Sequence, residues 1–407
     1  MKTEHDGERP GISRRTLLAR TGAAAAALAV GPVLGGVQPA MAASWRVPGE
    51  DESHRRTWMA WPSSYTIWGN LLSKIQADIA KLAKEIAKYE PVIMCADGSS
   101  AASQARTACG STVTVISSIP VSDCWMRDTG PLFRIDDAGG LDAFGLNFNA
   151  WGENATTFYG LPASAYDKDR TVAPKVAAYS GAPFAKASVV GEGGGIEYDG
   201  DGTVMATESC WLNSNRNPGK SRSQIEAELL SRFGASKMIW LPGVTGQDVT
   251  DGHIDGTARY IRPGVVMVQL AGAVRPDVWT ANAQAIRDTL AAATDARGRR
   301  LQVLTIEGPD TLPRIQVGKQ AEFLSSYMNW TVTNQAIITT QFGDTAKDAA
   351  AKSAIAAAYG RPVVQLNLDN LYGNGGGGAH CVTMQEERDA RRLQGEVSEG
   401  FGGLPRG

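Results

Sequence analysis

The amino-acid sequence predicts an α/β protein. Short apolar runs typical of buried strands recur along the chain, and amphipathic stretches with helical spacing lie between them. Hydrophobic residues account for 43% of the 407 residues and charged residues for only 20%, which provides enough apolar material for a large core. No linker or low-complexity stretch interrupts the alternation. We therefore expect one α/β domain that covers most of the chain.

Residues 1–42 are predicted to be an export signal that precedes the folded domain. Ser13-Arg14-Arg15-Thr16-Leu17-Leu18 matches a twin-arginine pattern, and an apolar run follows it. Gly31-Pro32 interrupts that run, so it falls short of the roughly 20 apolar residues that a membrane-spanning helix needs. Ala40-Met41-Ala42 has the small-residue pattern of a cleavage site. We expect a secreted protein with no stable membrane anchor and a catalytic domain over residues 43–407.

The elements of the domain follow from apolar spacing and turn residues. Residues 71–86 repeat apolar side chains at helical spacing, and Pro91 then opens a buried strand at residues 92–94. Asp199-Gly200-Asp201-Gly202 predicts a hairpin turn. The polar segment 386–407 is expected to fray. Further strands are predicted at residues 113–116, 204–207, 238–241, 265–270, 301–306, 337–340 and 363–368, and further helices at 223–233, 278–292 and 346–359.

Composition narrows the classes of partner and cofactor. A net charge of -2 gives no general attraction to nucleic acid or to an anionic membrane. The five cysteines are too sparse for a disulfide scaffold, although Cys95 with Cys109 is a conceivable pair. The sequence has no Cys-x-x-Cys and no His-Glu-x-x-His, so no metal site is predicted. Oligomeric state stays open, and a homo-oligomer is compatible with the sequence.

The glycine-rich stretch from Gly373 to Cys381 is the strongest candidate for chemistry. Glycines let a backbone approach its neighbours closely, and a thiol at the end of the stretch is a candidate nucleophile. A surface loop followed by a structural cysteine is one alternative. A dinucleotide-binding loop at Gly373-x-Gly375-x-x-Gly378 is another, but such a loop should connect a strand to a helix.

His253 is the better acid–base partner for this thiol. His380 is adjacent to Cys381, so in extended backbone the two side chains would point to opposite faces, which makes His380 a bystander. His253 lies between glycines and two residues before Asp255, with which it would share a face at a strand end. A structural histidine is the alternative interpretation.

Two acidic segments are weaker candidates. Trp125-Met126-Arg127-Asp128-Thr129-Gly130-Pro131 combines an aromatic residue, a charge pair and a turn. Glu192 lies among glycines in Gly191-Glu192-Gly193-Gly194-Gly195. Solvated turn residues are the alternative interpretation of both segments, because turns accumulate Asp and Gly for conformational reasons.

Taken together, these motifs resemble the agmatine deiminase family. That family includes the Porphyromonas-type peptidylarginine deiminases and belongs to the guanidino-modifying superfamily. The matching motifs, in order, are Trp-Met-Arg-Asp-Thr-Gly-Pro from Trp125, Glu-Gly-Gly-Gly-Ile from Glu192, Gly-His-Ile-Asp from Gly252, Ser-Tyr-Met-Asn from Ser326, and the glycine run that ends in His380-Cys381.

The resemblance implies a pseudo-fivefold α/β propeller of ββαβ units around a central pocket, although no repeat is visible in the sequence. It implies that the reaction needs no metal or organic cofactor. It also implies residue roles, which are Cys381 as nucleophile, His253 as general acid and base, Glu192 as its acidic partner, Asp128 and Asp255 as carboxylates around the guanidinium with Asp255 also catalytic, and Trp125 and Asn329 as substrate-binding residues.

The implied reaction is hydrolytic deimination of a guanidinium group through a covalent cysteine thiouronium. Agmatine, which would give N-carbamoylputrescine and ammonia, is the first expectation, and an arginine-containing peptide is the alternative. The chain reads Asp255-Gly256 where many agmatine enzymes read Asp-Asn, and Gly378-Ala379 where they commonly read Asn-Ile. Those departures lie beside the expected catalytic groups. Another cysteine amidase, or a binding protein without activity, is a further alternative.

Overall fold

The computed structural model describes residues 44–274, 278–314 and 323–388. Its strands are β1 (Trp45–Arg46), β2 (His54–Ala60), β3 (Val92–Cys95), β4 (Val113–Ile116), β5 (Leu132–Asp136), β6 (Leu141–Gly145), β7 (Phe184–Lys186), β8 (Ile196–Tyr198), β9 (Thr203–Thr207), β10 (Lys237–Leu241), β11 (Ala258–Arg262), β12 (Val265–Leu270), β13 (Gln302–Glu307), β14 (Thr331–Val332), β15 (Ile337–Thr340), β16 (Val363–Leu366) and β17 (Met384–Glu387). Its helices are α1 (Tyr65–Trp68), α2 (Leu72–Ile86), α3 (Gly98–Cys109), α4 (Met126–Thr129), α5 (Asn154–Tyr159), α6 (Val172–Ser180), α7 (Glu208–Trp211), α8 (Arg222–Phe233), α9 (Val278–Ala292), α10 (Thr345–Tyr359) and α11 (Asp369–Asn374).

The strands form five small sheets that share one order of elements. In three of them an antiparallel pair is followed by a helix and a parallel strand, as in β8-β9-α8-β10, β11-β12-α9-β13 and β14-β15-α10-β16. In a fourth sheet, α5 and α6 lie between β6 and the parallel strand β7. Strand β1 extends this sheet by pairing with β5. The fold is therefore a mixed α/β arrangement built from repeated ββαβ units.

The fifth sheet joins the two ends of the described chain. Strand β17 pairs antiparallel with β2, and β3 and β4 then follow in parallel through α2 and α3. Strand β17 is polar in sequence but buried, so the expectation that the polar tail begins at residue 386 is wrong. Glu386 is buried because its carboxylate accepts hydrogen bonds from the Trp58 indole and the Ser180 hydroxyl, each at 2.8 Å.

The strongly periodic segments were predicted well. Helix α9 has the expected bounds, and α2, α8 and α10 begin within a residue of theirs. The buried face of α2 consists of the expected side chains, Ile75, Ile79, Leu82 and Ile86. The predicted hairpin is confirmed, since β8 and β9 pair antiparallel on either side of residues 199–202.

All five cysteines are unpaired thiols, so the conceivable disulfide between Cys95 and Cys109 is wrong. Within the described ranges, no helix is both long and apolar enough to cross a membrane. The export signal at residues 1–42 lies outside the described residues and stays a prediction.

Candidate active site

The seven residues singled out in the sequence lie together around one cavity of about 480 Å³. Five of them line it, namely Trp125, Asp128, His253, Asp255 and Cys381. The other two are fully buried behind the lining, where Glu192 contacts His253 and Asn329 contacts Cys381. The structure therefore brings together every predicted site residue.

The site residues share a position in the repeated unit. Each of five site residues lies in the segment that directly precedes one strand of an antiparallel pair, and these residues are Asp128, Glu192, Asp255, Asn329 and Cys381. Those strands are β5, β8, β11, β14 and β17, respectively. The repeat therefore delivers one functional side chain from each of the five sheets.

Asn329 ties down the segment that carries the thiol. Its Nδ2 lies 3.1 Å from Cys381 Sγ. Its Oδ1 accepts hydrogen bonds from the backbone N–H groups of His380 and Cys381, at 3.1 and 3.2 Å. The thiol is buried and also lies 3.4 Å from Asp255 Oδ2. One amide side chain thus fixes both the backbone and the sulfur of Cys381.

The glycines before Cys381 are required by protein side chains. A Cβ atom on Gly377 would lie 2.3 Å from the Trp125 ring, and one on Gly378 would lie 2.3 Å from Tyr372. The close approach predicted for this stretch therefore exists, with aromatic side chains as the neighbours. The run follows helix α11 and leads into β17, so the dinucleotide-binding alternative is wrong.

His253 begins a 3₁₀ turn over Ile254–Gly256, so the predicted strand end is wrong. Its Nε2 lies 3.1 Å from Glu192 Oε2, and its Nδ1 lies 3.9 Å from Asp128 Oδ1. Burial lowers the pKa of His253, but Asp128, Cys210 and Glu192 outweigh that effect and raise the pKa well above its usual value. The imidazole is therefore protonated at neutral pH.

Arg216 holds Glu192 in its ionised form. Its Nε lies 2.9 and 3.1 Å from the two oxygens of Glu192, and its Nη1 donates to Asp251 at 3.0 Å. Burial raises the pKa of Glu192, but Arg216 and His253 outweigh it and lower the pKa below its usual value. The segment 213–218 that carries Arg216 is part of the family resemblance, but no role was predicted for Arg216, because its partners Glu192 and Asp251 are distant along the chain.

Two carboxylates and the imidazole converge beside Gly194. A Cβ atom on this glycine would lie 2.7 Å from His253 Nδ1 and 3.0 Å from Asp128 Oδ1. It would also lie 3.0 Å from Asp255 Oδ2. Any residue other than glycine would therefore occupy space between the polar groups that face the cavity.

The two carboxylates differ in acidity. Burial raises the pKa of Asp128 to about 6, in spite of a 2.9 Å hydrogen bond that Trp151 Nε1 donates to its Oδ2. Burial also raises the pKa of Asp255, but His380 outweighs that effect and the pKa falls below its usual value. Burial and these two carboxylates raise the pKa of the Cys381 thiol well above its usual value. Without a cation, the thiol is neutral.

Two expectations about charged residues were wrong. Arg127 was given a solvated turn as its alternative interpretation, but it is 2% exposed and pairs with Glu50 at 2.9 Å. His380 was expected to be a bystander, yet residues 379–382 form a turn, and its Nδ1 lies 2.8 Å from Asp255 Oδ2. A turn removes the alternation of faces on which that expectation depended.

Among the residues that the structure describes, two groups of largely buried side chains have donor atoms close enough for a metal ion. They are Glu192 with Cys210 and His253, and Glu50 with Glu197 and His380. In both groups the carboxylates already pair with arginine, through Arg216 in the first and Arg259 in the second. These arginines supply the positive charge that a metal would supply. A reaction without metal or organic cofactor stays a prediction.

Comparisons with known proteins place the chain in a family of deiminases. The family described as Porphyromonas-type peptidyl-arginine deiminase matches residues 46–386. The agmatine deiminase of Pseudomonas aeruginosa (strain LESB58) is 35% identical over 84% of this chain and 95% of its own length. That of Stutzerimonas stutzeri is also 35% identical, over 84% of this chain and 95% of its own. A solved agmatine deiminase of Enterococcus faecalis has a TM-score of 0.74 at 29% identity, over 85% and 97% of the two chains.

The fold, the acidic cavity and these similarities define a hydrolase that acts on the C–N bonds of linear amidines. The chain belongs to the agmatine deiminase family. The resemblance based on five sequence motifs is thereby confirmed. A cysteine amidase of another family is excluded by the match over residues 46–386.

Proposed function

We propose that this protein hydrolyses agmatine to N-carbamoylputrescine and ammonia through a covalent thiouronium on Cys381. The observation that carries the proposal is the convergence of Cys381, His253, Asp128 and Asp255 on one cavity. The agmatine deiminases of Pseudomonas aeruginosa and Stutzerimonas stutzeri, with their 35% identity, support agmatine as the substrate.

The carboxylates suit a guanidinium ion. This ion is planar, permanently charged and carries N–H donors in a fork that matches carboxylate oxygens. Asp128 and Asp255 would hold it against the sulfur of Cys381, with the Trp125 ring as one wall of the cavity. Binding of the cation would also lower the pKa of Asp128 and of the Cys381 thiol, because it offsets the negative charge around them.

The chemical steps then follow from the positions of the side chains. The Cys381 thiolate attacks the guanidinium carbon, and imidazolium His253 donates the proton with which ammonia leaves. The product of this half is a cationic thiouronium with a carbon–sulfur bond. His253, now neutral, takes a proton from water, and the resulting hydroxide attacks the same carbon. The carbon–sulfur bond then breaks and the hydroxyl group loses its remaining proton to solvent, which releases the neutral ureido product and returns the thiolate.

We also infer that the five sheets form a pseudo-fivefold propeller around the cavity. Five ββαβ-type sheets support this arrangement, and so does the placement of one site residue before the antiparallel strand pair of each sheet. In such an arrangement, equivalent segments of the repeat would meet at the central axis.

An arginine-containing peptide is the second candidate substrate. Phe158 and Tyr159 line the cavity and are 39% and 37% exposed, which offers aromatic contacts to groups beyond a small guanidine. The matching family description also names peptidyl-arginine. The departures at Gly256 and Gly378-Ala379 lie beside Asp255 and Cys381, where they would affect substrate choice.

The test is an assay of ammonia and ureido product with the mature protein, using agmatine, free arginine and an arginine peptide. We expect agmatine to be the preferred substrate by kcat/KM and Cys381→Ser to be inactive. Preference for the peptide would establish the second candidate. Failure of the wild-type protein on all three compounds would contradict the proposed deiminase activity.

We further propose that residues 1–42 direct export by the twin-arginine route, on the basis of Arg14-Arg15 and Ala40-Met41-Ala42. Replacement of both arginines by lysine should retain the full-length precursor inside the cell. N-terminal sequencing of the exported protein should begin at Ala43. Equal export of the double-lysine variant would contradict the proposal.

A further inference from the structure

A buried chain of hydrogen bonds leads from the active site through His380 to the N-terminal segment. His380 Nδ1 lies 2.8 Å from Asp255 Oδ2, and its Nε2 lies 2.8 Å from Glu50 Oε1. The same Asp255 oxygen is 3.4 Å from Cys381 Sγ. The imidazole is 1% exposed. It therefore connects a carboxylate that faces the substrate with one that does not line the cavity.

Glu50 is itself fixed from two sides. Arg127 Nη1 forms an ion pair with Glu50 Oε1 at 2.9 Å, and Arg259 pairs with the other oxygen of Glu50. Arg259 also pairs with Glu197 at 2.7 Å. Burial raises the pKa of Glu50, but the two arginines and His380 outweigh it and lower the pKa well below its usual value. Glu50 is therefore an ionised hydrogen-bond acceptor for His380.

The two contacts of His380 impose a proton arrangement. A neutral imidazole has one N–H, so only the imidazolium form donates to carboxylates at both nitrogens. Burial, Arg127 and Arg259 lower the pKa of His380, whereas Glu50 and Asp255 oppose that shift. Whenever His380 donates a hydrogen bond to Asp255, its Nδ1 carries the proton and points at Asp255 Oδ2. The imidazole thereby fixes the position of this oxygen, which also lies 3.4 Å from Cys381 Sγ.

We propose that His380 is a positioning residue that is anchored by Glu50 and orients Asp255 between the Cys381 sulfur and the guanidinium of the substrate. The inference rests on the proposed function, because it assigns Asp255 to the substrate cation. The proposal predicts that catalysis needs the hydrogen bond from His380 Nδ1 to Asp255. A side chain that only fills the volume of the imidazole ring should not restore activity.

Two amide replacements separate these requirements. The Nδ2 of asparagine occupies roughly the place of histidine Nδ1, so His380→Asn keeps a donor for Asp255. The amide of glutamine reaches toward the place of Nε2, so His380→Gln keeps a contact with Glu50 and loses the one with Asp255. Thermal unfolding of both variants would report the structural consequences separately.

A pair of alkylating probes reports on Asp255 without turnover. In 2-chloroacetamidine and 2-chloroacetamide the Cys381 sulfur displaces chloride and forms a carbon–sulfur bond, but only the amidine is cationic. The ratio of the two inactivation rates therefore measures how well the site holds a planar cation. We expect His380→Gln to lower this ratio by about tenfold, the range of a lost hydrogen bond to a charged group, and His380→Asn to stay close to wild type.

A double-mutant cycle with Asp255→Asn tests whether His380 acts through Asp255. His380→Gln should have little further effect on the probe ratio once Asp255 has lost its charge. If His380→Gln does not fold, Glu50→Gln tests the chain of hydrogen bonds from its other end. This variant should also lower the ratio of the two inactivation rates.

Equal effects of the Asn and Gln variants, or additive effects in the cycle, would overturn the proposal and leave His380 with a packing role. A wild-type protein that prefers the amidine probe and shows the expected cycle, but does not deiminate agmatine, would refute the proposed substrate and support the positioning role. The two proposals therefore fail in distinguishable ways.

Discussion

At the scale of single residues, acidity is set by charges that surround a buried site. Asp128 and Asp255 are both buried, but Asp255 has a 2.8 Å imidazole contact from His380, whereas the imidazole of His253 lies 3.9 Å from Asp128. The consequence is that one carboxylate stays ionised and the other titrates near neutral pH. The sequence identified both carboxylates through their motifs, but it could not rank them, because the ranking depends on contacts between distant segments.

The acid limb of the pH profile of kcat/KM should reflect the titration of Asp128. Its pKa of about 6 is raised in the free enzyme, so the ionised form that binds a cation is lost as pH falls through that value. Trp151→Phe removes the hydrogen bond to Oδ2, so the pKa should rise and the limb should move to higher pH. Trp68→Phe is the matched control, because Trp68 lines the same cavity and donates to Asp123. A limb that moves equally in both variants would contradict this role for Asp128.

Several residues of the site had no role predicted from the sequence. Glu50 and Arg216 act on His380 and Glu192 through long-range contacts, and neither belongs to a recognisable spacing. Cys381 and His253 were identified because glycines surround them and because a thiol and an imidazole are natural partners. Reacting residues can therefore be recognised from their neighbours in the sequence. The residues that shift their pKa values or fix their positions can be recognised only in the three-dimensional structure.

At the scale of elements, the segment between α11 and β17 is shaped by glycines that pack against aromatic rings. Gly377 and Gly378 have no room for a side chain beside Trp125 and Tyr372. This packing sets the position of Cys381 without any contact to the substrate. The glycine pattern was visible in the sequence, but the identity of its neighbours was not.

Gly377→Ala should lower kcat/KM by about tenfold or more, because its Cβ atom would lie 2.3 Å from the Trp125 ring and displace the segment that carries Cys381. Gly360→Ala is the control. Gly360 has a φ of 63° and no neighbour within 4 Å of its Cβ position, so alanine there should cost stability of about 1 kcal/mol with little change in kcat/KM. Equal kinetics of the two variants would argue against packing control of the nucleophile.

Two of the strands that were not predicted from the sequence, β2 and β17, have mixed polarity. Strand β17 reads Met-Gln-Glu-Glu, and β2 begins with His-Arg-Arg, so neither has the apolar character that predicted the other buried strands. They are buried because their charged groups pair with each other, as Arg55 does with Glu386 at 3.2 Å. Patterning by hydrophobicity alone does not detect such strands.

At the scale of the whole molecule, one repeated unit explains both the fold and the site. In each of the five sheets, one site residue lies just before a strand of the antiparallel pair, from Asp128 before β5 to Cys381 before β17. The repeat was invisible in the sequence because several of its strands are short or polar, and the units share no sequence motif. The α/β class was predictable, whereas the order of strands within the sheets was not.

Closure of the chain ends by β17 predicts a sharp boundary for truncation. A protein that ends at residue 388 keeps β17 and its pairing with β2, so it should fold and retain kcat/KM. A protein that ends at residue 383 loses Met384, which is 1% exposed, together with the buried contacts of Glu386. We expect the shorter protein to lose its cooperative thermal unfolding transition. Retention of that transition would show that β17 is dispensable for the fold.

The central claim is that Cys381 attacks the guanidinium carbon, and the most direct measurement is mass spectrometry of the protein quenched in acid during turnover of agmatine. We predict a thiouronium adduct that maps to the peptide containing Cys381 and is absent from Cys381→Ser. Release of ammonia by the Cys381→Ser variant at the wild-type rate, with no adduct on the wild-type protein, would contradict the account.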